Sequence, residues 1–200
     1  MAAAIDFYFD FSSPYGYLAS TKIDEIAAKY GRDVMWRPFL LGPVFKISGL
    51  KPLVDVPLKS DYIRRDFDRS ARLFGVPFKL PANFPFGAVA ASRAYYWLSD
   101  RDLATAKRFA KAVYHAAFGD GLDVTPVDTV LDIAATLGVE RDALKAALED
   151  QAAKDRLKAE VDRAIRNGVF GSPYIVVDGE PFWGSDRLWQ IEKWLETGGW

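Results

Sequence analysis

Cysteine is absent from the 200-residue chain. That excludes disulfides, thiolate metal sites and any redox or nucleophilic cysteine, so thiol chemistry here would have to use a sulfur carried by a ligand. Histidine is nearly as scarce: His115 stands alone, inside the helical run KAVYHAAF. One histidine without cysteine gives little basis for a transition-metal site. It also leaves any serine nucleophile without a general base, and no Gly-x-Ser-x-Gly elbow occurs. An excess of charge of one sign is missing too. With 26 basic and 27 acidic residues and a net charge of -1, no electrostatic case exists for nucleic acid or an anionic membrane as partner. No apolar run approaches the roughly 20 residues that span a bilayer. The opening MAAAIDFYFDF lacks the basic and apolar regions of a signal peptide. The expectation is a soluble, cytoplasmic protein with no membrane or nucleic-acid partner. A dinucleotide fingerprint is lacking as well: in GDGLDV (119–124) Val124 takes the third glycine position and no strand precedes it, so the stretch reads as a loop.

What the chain does have is apolar bulk. Half of the residues are hydrophobic and 14% are aromatic, and a chain of this length can bury roughly 70% of its unfolded surface. Ile5, Phe7, Phe9 and Phe11 alternate with Asp6, Tyr8 and Asp10, which predicts a strand over 5–11. Pro14 suits a first helical turn, and Ala19, Ile23, Ile26, Ala27 and Tyr30 recur at helical spacing up to Gly31. DVMWRPF (33–39) alternates as a second strand, which completes a βαβ unit with parallel strands. Residues 40–57 read as a long loop rich in Gly and Pro. Helices are expected over about 58–74 and 88–118. A further helix is capped by Thr125 with Pro126 at its first position, and two more follow at about 140–150 and 152–167. The last segment, VFGSPYIVVDGEPFWGSDRLWQIEKWL, reads as strand, Asp178-Gly179 turn, short strand and helix, with Ser185 as the helix N-cap.

The order is βαβ, a helical block of more than 100 residues, then ββα. Two stretches in it stand out. FSSPYGYLAS brings a strand into two serines and a helix, where Ser12 or Ser13 is either a helix cap or a hydrogen-bond donor to a bound anion. FWGSDRL offers backbone N–H groups for a carboxylate at a second helix start, with Asp186 available for an ammonium group.

Together DFYFDFSSPYGYLA, GVFGSPYIVVDGEPFWGSDRL and the long helical insertion resemble the 2-hydroxychromene-2-carboxylate isomerases and the related kappa-class glutathione transferases. Both belong to the DsbA-like branch of the thioredoxin superfamily. The resemblance implies an α/β, thioredoxin-like fold (βαβ…ββα) with a large all-helical insertion. The thioredoxin-like domain would then be discontinuous, 1–40 and 168–200 with the connecting helix at about 152–167, and 41–151 would be the loop and helical insertion. It also implies a cis peptide at Ser172–Pro173 and glutathione as the bound thiol. Ser13, directly before Pro-Tyr, would contact the glutathione sulfur. Ser172 would pair with the tripeptide backbone, and Trp183, Gly184, Ser185 and Asp186 would hold the γ-glutamyl end. Lys46 would face the carboxylate of a small aromatic or unsaturated substrate. Relatives suggest a homodimer, although no surface stripe in the sequence demands one.

Two departures fall on the substrate side: Leu50-Lys51-Pro52, where relatives often carry an asparagine, and NFPFGAVAASRA, where they commonly have Asn-Thr near Gly87-Ala88. The resemblance implies a glutathione-dependent isomerase. A kappa-like transferase that conjugates an electrophile, and a cysteine-free binding module without catalysis, are the alternatives.

Overall fold

The computed structural model describes residues 3–200. Four strands and ten α-helices are found among them: β1 (Ile5–Phe9), α1 (Pro14–Ser20), α2 (Ile23–Lys29), β2 (Val34–Pro38), α3 (Leu41–Ser48), α4 (Ser60–Phe74), α5 (Val89–Ser99), α6 (Leu103–Tyr114), α7 (Val127–Ala135), α8 (Arg141–Glu149), α9 (Gln151–Arg166), β3 (Tyr174–Val177), β4 (Glu180–Trp183) and α10 (Leu188–Thr197). The strands form one mixed sheet in the order β2-β1-β3-β4. β1 and β2 run parallel, and β3 is antiparallel to both β1 and β4. This is the α/β, thioredoxin-like arrangement expected from βαβ and ββα ends flanking a helical block.

β1 is an inner strand of the sheet, and its polar face is only partly solvated. Ile5, Phe7 and Phe9 are fully buried, yet Tyr8 on the opposite face is only 2% exposed. There Asn167 Nδ2 donates to its hydroxyl at 2.9 Å and Arg37 lies over its ring. The alternation predicts the strand, and the tertiary structure buries Tyr8 on its polar face while Asp6 stays partly exposed in an ion pair with Arg37.

β2 is an edge strand, and its proline fits for a specific reason. Asp33 O and Phe39 N both bond to β1, so the alternate residues 34, 36 and 38 turn their backbone groups away from it. Pro38 therefore removes no ladder bond. The outward carbonyls of Trp36 and Pro38 accept from the buried hydroxyls of Tyr95 and Tyr96 on α5, at 3.1 and 2.7 Å. The same helix closes an otherwise open edge. Phe9 stacks edge-on against both Trp36 and Tyr95, so the buried core runs continuously from the sheet into α5 and α6.

Several expected boundaries shift. The helix expected from Pro14 to Gly31 is broken at Thr21–Lys22 into α1, which packs against α4, and α2, which packs against β2 and α10. The expected loop 40–57 contains α3 and a 3-10 turn at Leu53–Asp55. The helix expected over 88–118 is α5 and α6, separated at Asp100–Asp102, with a π-helical turn at His115–Gly119. Asp102 caps α6 by accepting from Ala104 N–H at 2.9 Å, a local signal hidden inside an apolar run. Pro126, not Thr125, is the N-cap of α7. The Asp178-Gly179 turn is as read: both residues have positive φ, 52° and 91°, as a two-residue hairpin of this kind requires.

Candidate functional site

Asp10 organises the chain at the end of β1. Its carboxylate is buried and accepts three hydrogen bonds: from Ser12 N–H and Ser12 O–H at 2.9 Å each, and from Leu41 N–H at the start of α3 at 2.7 Å. Its carbonyl accepts from Ser13 N–H and from the Tyr114 hydroxyl, both at 2.9 Å, and its own N–H donates to Ser172 Oγ at 2.9 Å. One residue thus ties together the β1–α1 turn, α3, the end of α6 and the loop before β3. Burial pushes the Asp10 carboxyl pKa up, and the bonds from Leu41 and Ser12 work against that rise.

Ser13 is the N-cap of α1. Its Oγ accepts from Gly16 N–H at 3.0 Å and donates its one proton to the Ser172 carbonyl at 2.8 Å. Ser12 is instead held by Asp10. The residues alone left the cap open between the two serines, and the geometry assigns it to Ser13. α1 is only seven residues long, so its dipole is small. Pro14 has no N–H and the N–H of Gly16 is already taken, so little of the helix end is left for an anion. A ligand atom at this point would be met mainly by the Ser13 hydroxyl.

Facing Ser13 is the Ser172–Pro173 peptide, which is cis. The Pro173 carbonyl accepts from Gly184 N–H at 3.0 Å, which joins this loop to the end of β4. Gly184 has φ 110°, a conformation that favours glycine, and a Cβ there would meet Asp186 Oδ1 at 2.3 Å. Ser185 is buried but does not cap α10 as expected. It opens a 3-10 turn, Ser185–Arg187, that packs on α1, and α10 begins only at Leu188. A tighter turn displaces the α-helical start by three residues. Asp186 is exposed and pairs loosely with Arg187 at 3.6 Å.

Trp183 is half exposed and stacks edge-on with Phe170, centroids 5.0 Å apart. Its indole nitrogen lies against Gly171, where a Cβ would come within 2.3 Å. Gly171→Ala should therefore push the indole aside at a stability cost of about 1 kcal/mol or less, because the ring can move into solvent. The difference in tryptophan fluorescence between Gly171→Ala and the unsubstituted protein should vanish in a Trp183→Phe background. A difference that persists there would show that the indole does not respond.

Ser13, Ser172, Pro173, Trp183, Gly184, Ser185 and Asp186 thus lie on three adjoining loops. Lys46 does not join them by contact. It sits exposed in the last turn of α3 and has no ion pair or hydrogen bond among the described residues. A surface groove of about 280 Å³ bordered by Ile26, Phe74, Leu188 and Trp189 includes none of these residues.

Sequence reasoning missed three members of the site. Asp10 gave a readable signal, an Asx residue placed to accept from the N–H two residues on. Tyr114 and Gly16 gave none. Nor did it find the aromatic wall beside Tyr15. The Tyr15 hydroxyl donates to Asp66, and burial followed by that carboxylate pushes its acidity far down. Tyr15 also stacks on Phe67, which continues to Phe78 and Phe84.

A DSBA-like thioredoxin domain profile matches residues 4–196. The 2-hydroxychromene-2-carboxylate isomerase of Sphingobium xenophagum is 33% identical over 98% of this chain and 99% of its own. Glutathione S-transferase kappa 2 of Caenorhabditis elegans is 26% identical over 96% and 91%. A solved structure of a 2-hydroxychromene-2-carboxylate isomerase superposes with a TM-score of 0.88, at 30% identity over 96% of this chain and 94% of that one. Isomerases and glutathione transferases are the enzymes this chain is similar to, and by sequence and by fold it belongs to the 2-hydroxychromene-2-carboxylate isomerase family of DSBA-like thioredoxin domain proteins.

Proposed function

We propose that the protein is a glutathione-dependent isomerase acting on an unsaturated aromatic keto acid of the 2-hydroxychromene-2-carboxylate type. The observation that carries this reading is the Ser13 hydroxyl, 2.8 Å from the Ser172 carbonyl beside a cis proline, in a chain without cysteine. That arrangement offers a thiol one hydrogen-bond donor and no competing protein thiol. Membership of an isomerase family supports the reaction class.

Ser13 has a single proton, and in the free protein it goes to Ser172 O. With glutathione bound, the Ser172 carbonyl would pair with the tripeptide backbone and the Ser13 proton would turn to the sulfur, lowering the thiol pKa. Trp183 and the Gly184–Asp186 turn receive the γ-glutamyl end. When bound, glutathione would supply a thiolate able to add reversibly to the conjugated double bond of the ring-opened keto acid, allow rotation there and leave unchanged, so that no proton or electron is consumed overall. The protein orients the sulfur and stabilises charge. Tyr15 and Phe84, only partly buried beside the core residue Phe67, would offer aromatic rings to such a substrate, and the exposed Lys46 on α3 is the proposed partner of its carboxylate.

The test is to incubate protein, glutathione and 2-hydroxychromene-2-carboxylate and follow isomerisation and free thiol together. Acceleration over free glutathione with thiol conserved is the expected result. Net loss of thiol into a stable adduct would mark a transferase instead. No binding of millimolar glutathione by calorimetry would leave a docking module without catalysis.

A further inference from the structure

Gly16 lies three residues after Ser13, in the first turn of α1. Its φ is not positive, so backbone conformation does not require glycine there. Space does. A Cβ on residue 16 would come 2.4 Å from the Tyr114 hydroxyl, 3.1 Å from Ser172 Oγ and 3.2 Å from Ser13 Cβ. The first of these distances is far inside van der Waals contact, and the hydroxyl cannot easily yield. Tyr114 is fully buried at the junction of α6 and the π-helical turn, with Phe9, Phe11, Tyr17 and Phe118 around its ring at centroid distances of 5.3–6.4 Å. Its hydroxyl donates to the Asp10 carbonyl at 2.9 Å, the same carbonyl that accepts from Ser13 N–H. Asp10 N–H in turn goes to Ser172 Oγ. The hydroxyl is thus one bond from the backbone that carries Ser13 and two from the loop that carries the cis peptide.

We propose that Tyr114 is a positioning residue for Ser13: its hydroxyl fills the space beneath the first turn of α1, pins the Asp10 carbonyl and so fixes where the Ser13 hydroxyl points. The proposal rests on the reading of Ser13 as the donor to a glutathione sulfur. The same contact reserves position 16 for glycine, so no side chain three residues beyond Ser13 competes for the place of the ligand's sulfur. A phenylalanine at 114 would keep the ring packing and lose only the hydroxyl, which separates packing from positioning.

The experiment compares the unsubstituted protein with Tyr114→Phe, Gly16→Ala and the double variant. It measures the ionisation midpoint of bound glutathione by thiolate absorbance, together with kcat, KM and thermal stability. Tyr114→Phe should raise the midpoint and lower kcat about tenfold, the scale of one lost hydrogen bond, with KM for glutathione little changed. Gly16→Ala should lose more than that, and adding Tyr114→Phe should restore part of the loss, because the colliding oxygen is gone. A hydroxyl that serves only packing would lower thermal stability without moving the midpoint, and that result would overturn the proposal. So would a double variant no better than Gly16→Ala. If Gly16→Ala does not fold, the midpoint and kcat of Tyr114→Phe decide alone. An unsubstituted protein that leaves the thiol midpoint of glutathione at its solution value would overturn the glutathione reading itself. That outcome is visible before any variant is made.

Discussion

Ser13→Ala should lower kcat/KM for glutathione-dependent isomerisation by roughly a hundredfold, the loss typical of removing one preorganised donor from a site of developing charge. Alanine keeps the Cβ that packs beside Gly16 and removes only the oxygen. Two bonds disappear, the cap to Gly16 N–H and the donation to Ser172 O. The first is worth about 1 kcal/mol of helix stability, so rates must be compared well below the unfolding temperature. The second is the one read as turning to the sulfur, so the pKa of bound glutathione should climb back toward that of the free thiol. Glutathione affinity should change only a few-fold, because the contacts proposed for Ser172 and for the Trp183–Asp186 turn remain. Undiminished turnover in this variant would refute the donor role and leave the fold untouched.

Asp10→Ala should destabilise the protein by about 2 kcal/mol in urea denaturation, since it removes the partner of the partly buried N–H groups of Ser12 and Leu41, at about 1 kcal/mol each. The loss should be local as well as global, because the turn carrying Ser13 and the first residue of α3 are released together. Its pH dependence has a definite sign. Burial raises the folded-state pKa of Asp10 above its ordinary 3.8, so between the two values the folded protein binds more protons than the unfolded one. The advantage of the unsubstituted protein over Asp10→Ala is therefore greatest below the ordinary value, and it shrinks as pH rises through the raised one. A gap that widens with rising pH, or one of less than about 1 kcal/mol throughout, would mean that Asp10 is not the tie described.

Asp178 illustrates the opposite sign on the surface. Its hydrogen bonds from Arg32, at 2.7 and 3.1 Å, hold its carboxyl below the usual carboxylate range, so its contribution is present above the ordinary pKa and lost as pH falls through the lowered one. The carboxylate is about half exposed, and solvent screening keeps that contribution small.

Much of this protein could be read in advance because the decisive signals are local. The period-2 run at 5–11, the Asp-Gly turn at 178–179 and the two motif-bearing ends place the strands and suggest the family without any contact being known. The same locality explains the misreadings. Helical spacing runs on through Thr21–Lys22 and across Asp100–Asp102, because apolar periodicity does not register where a chain changes direction. Ser185 looks like a helix cap because serine before Asp fits a helix start, but whether the next turn is α or 3-10 depends on packing against α1. Gly16 is the sharpest case: its glycine reads as permissive backbone, and only the Tyr114 hydroxyl, nearly a hundred residues away in sequence, explains it.

The sequence by itself determined that no protein thiol is available, that a serine stands at the strand-to-helix turn, and that βαβ and ββα ends flank a helical block. Composition and near-neighbour patterns carry these facts. Only the tertiary structure decided that Ser13 rather than Ser12 is the cap, that its proton rests on Ser172 until something replaces it, and that Asp10 and Tyr114 hold the turn from below. Apart from the cap itself, these rest on contacts between segments about 100 to 160 residues apart in the chain, and no short-range pattern encodes a distance that folding alone brings about.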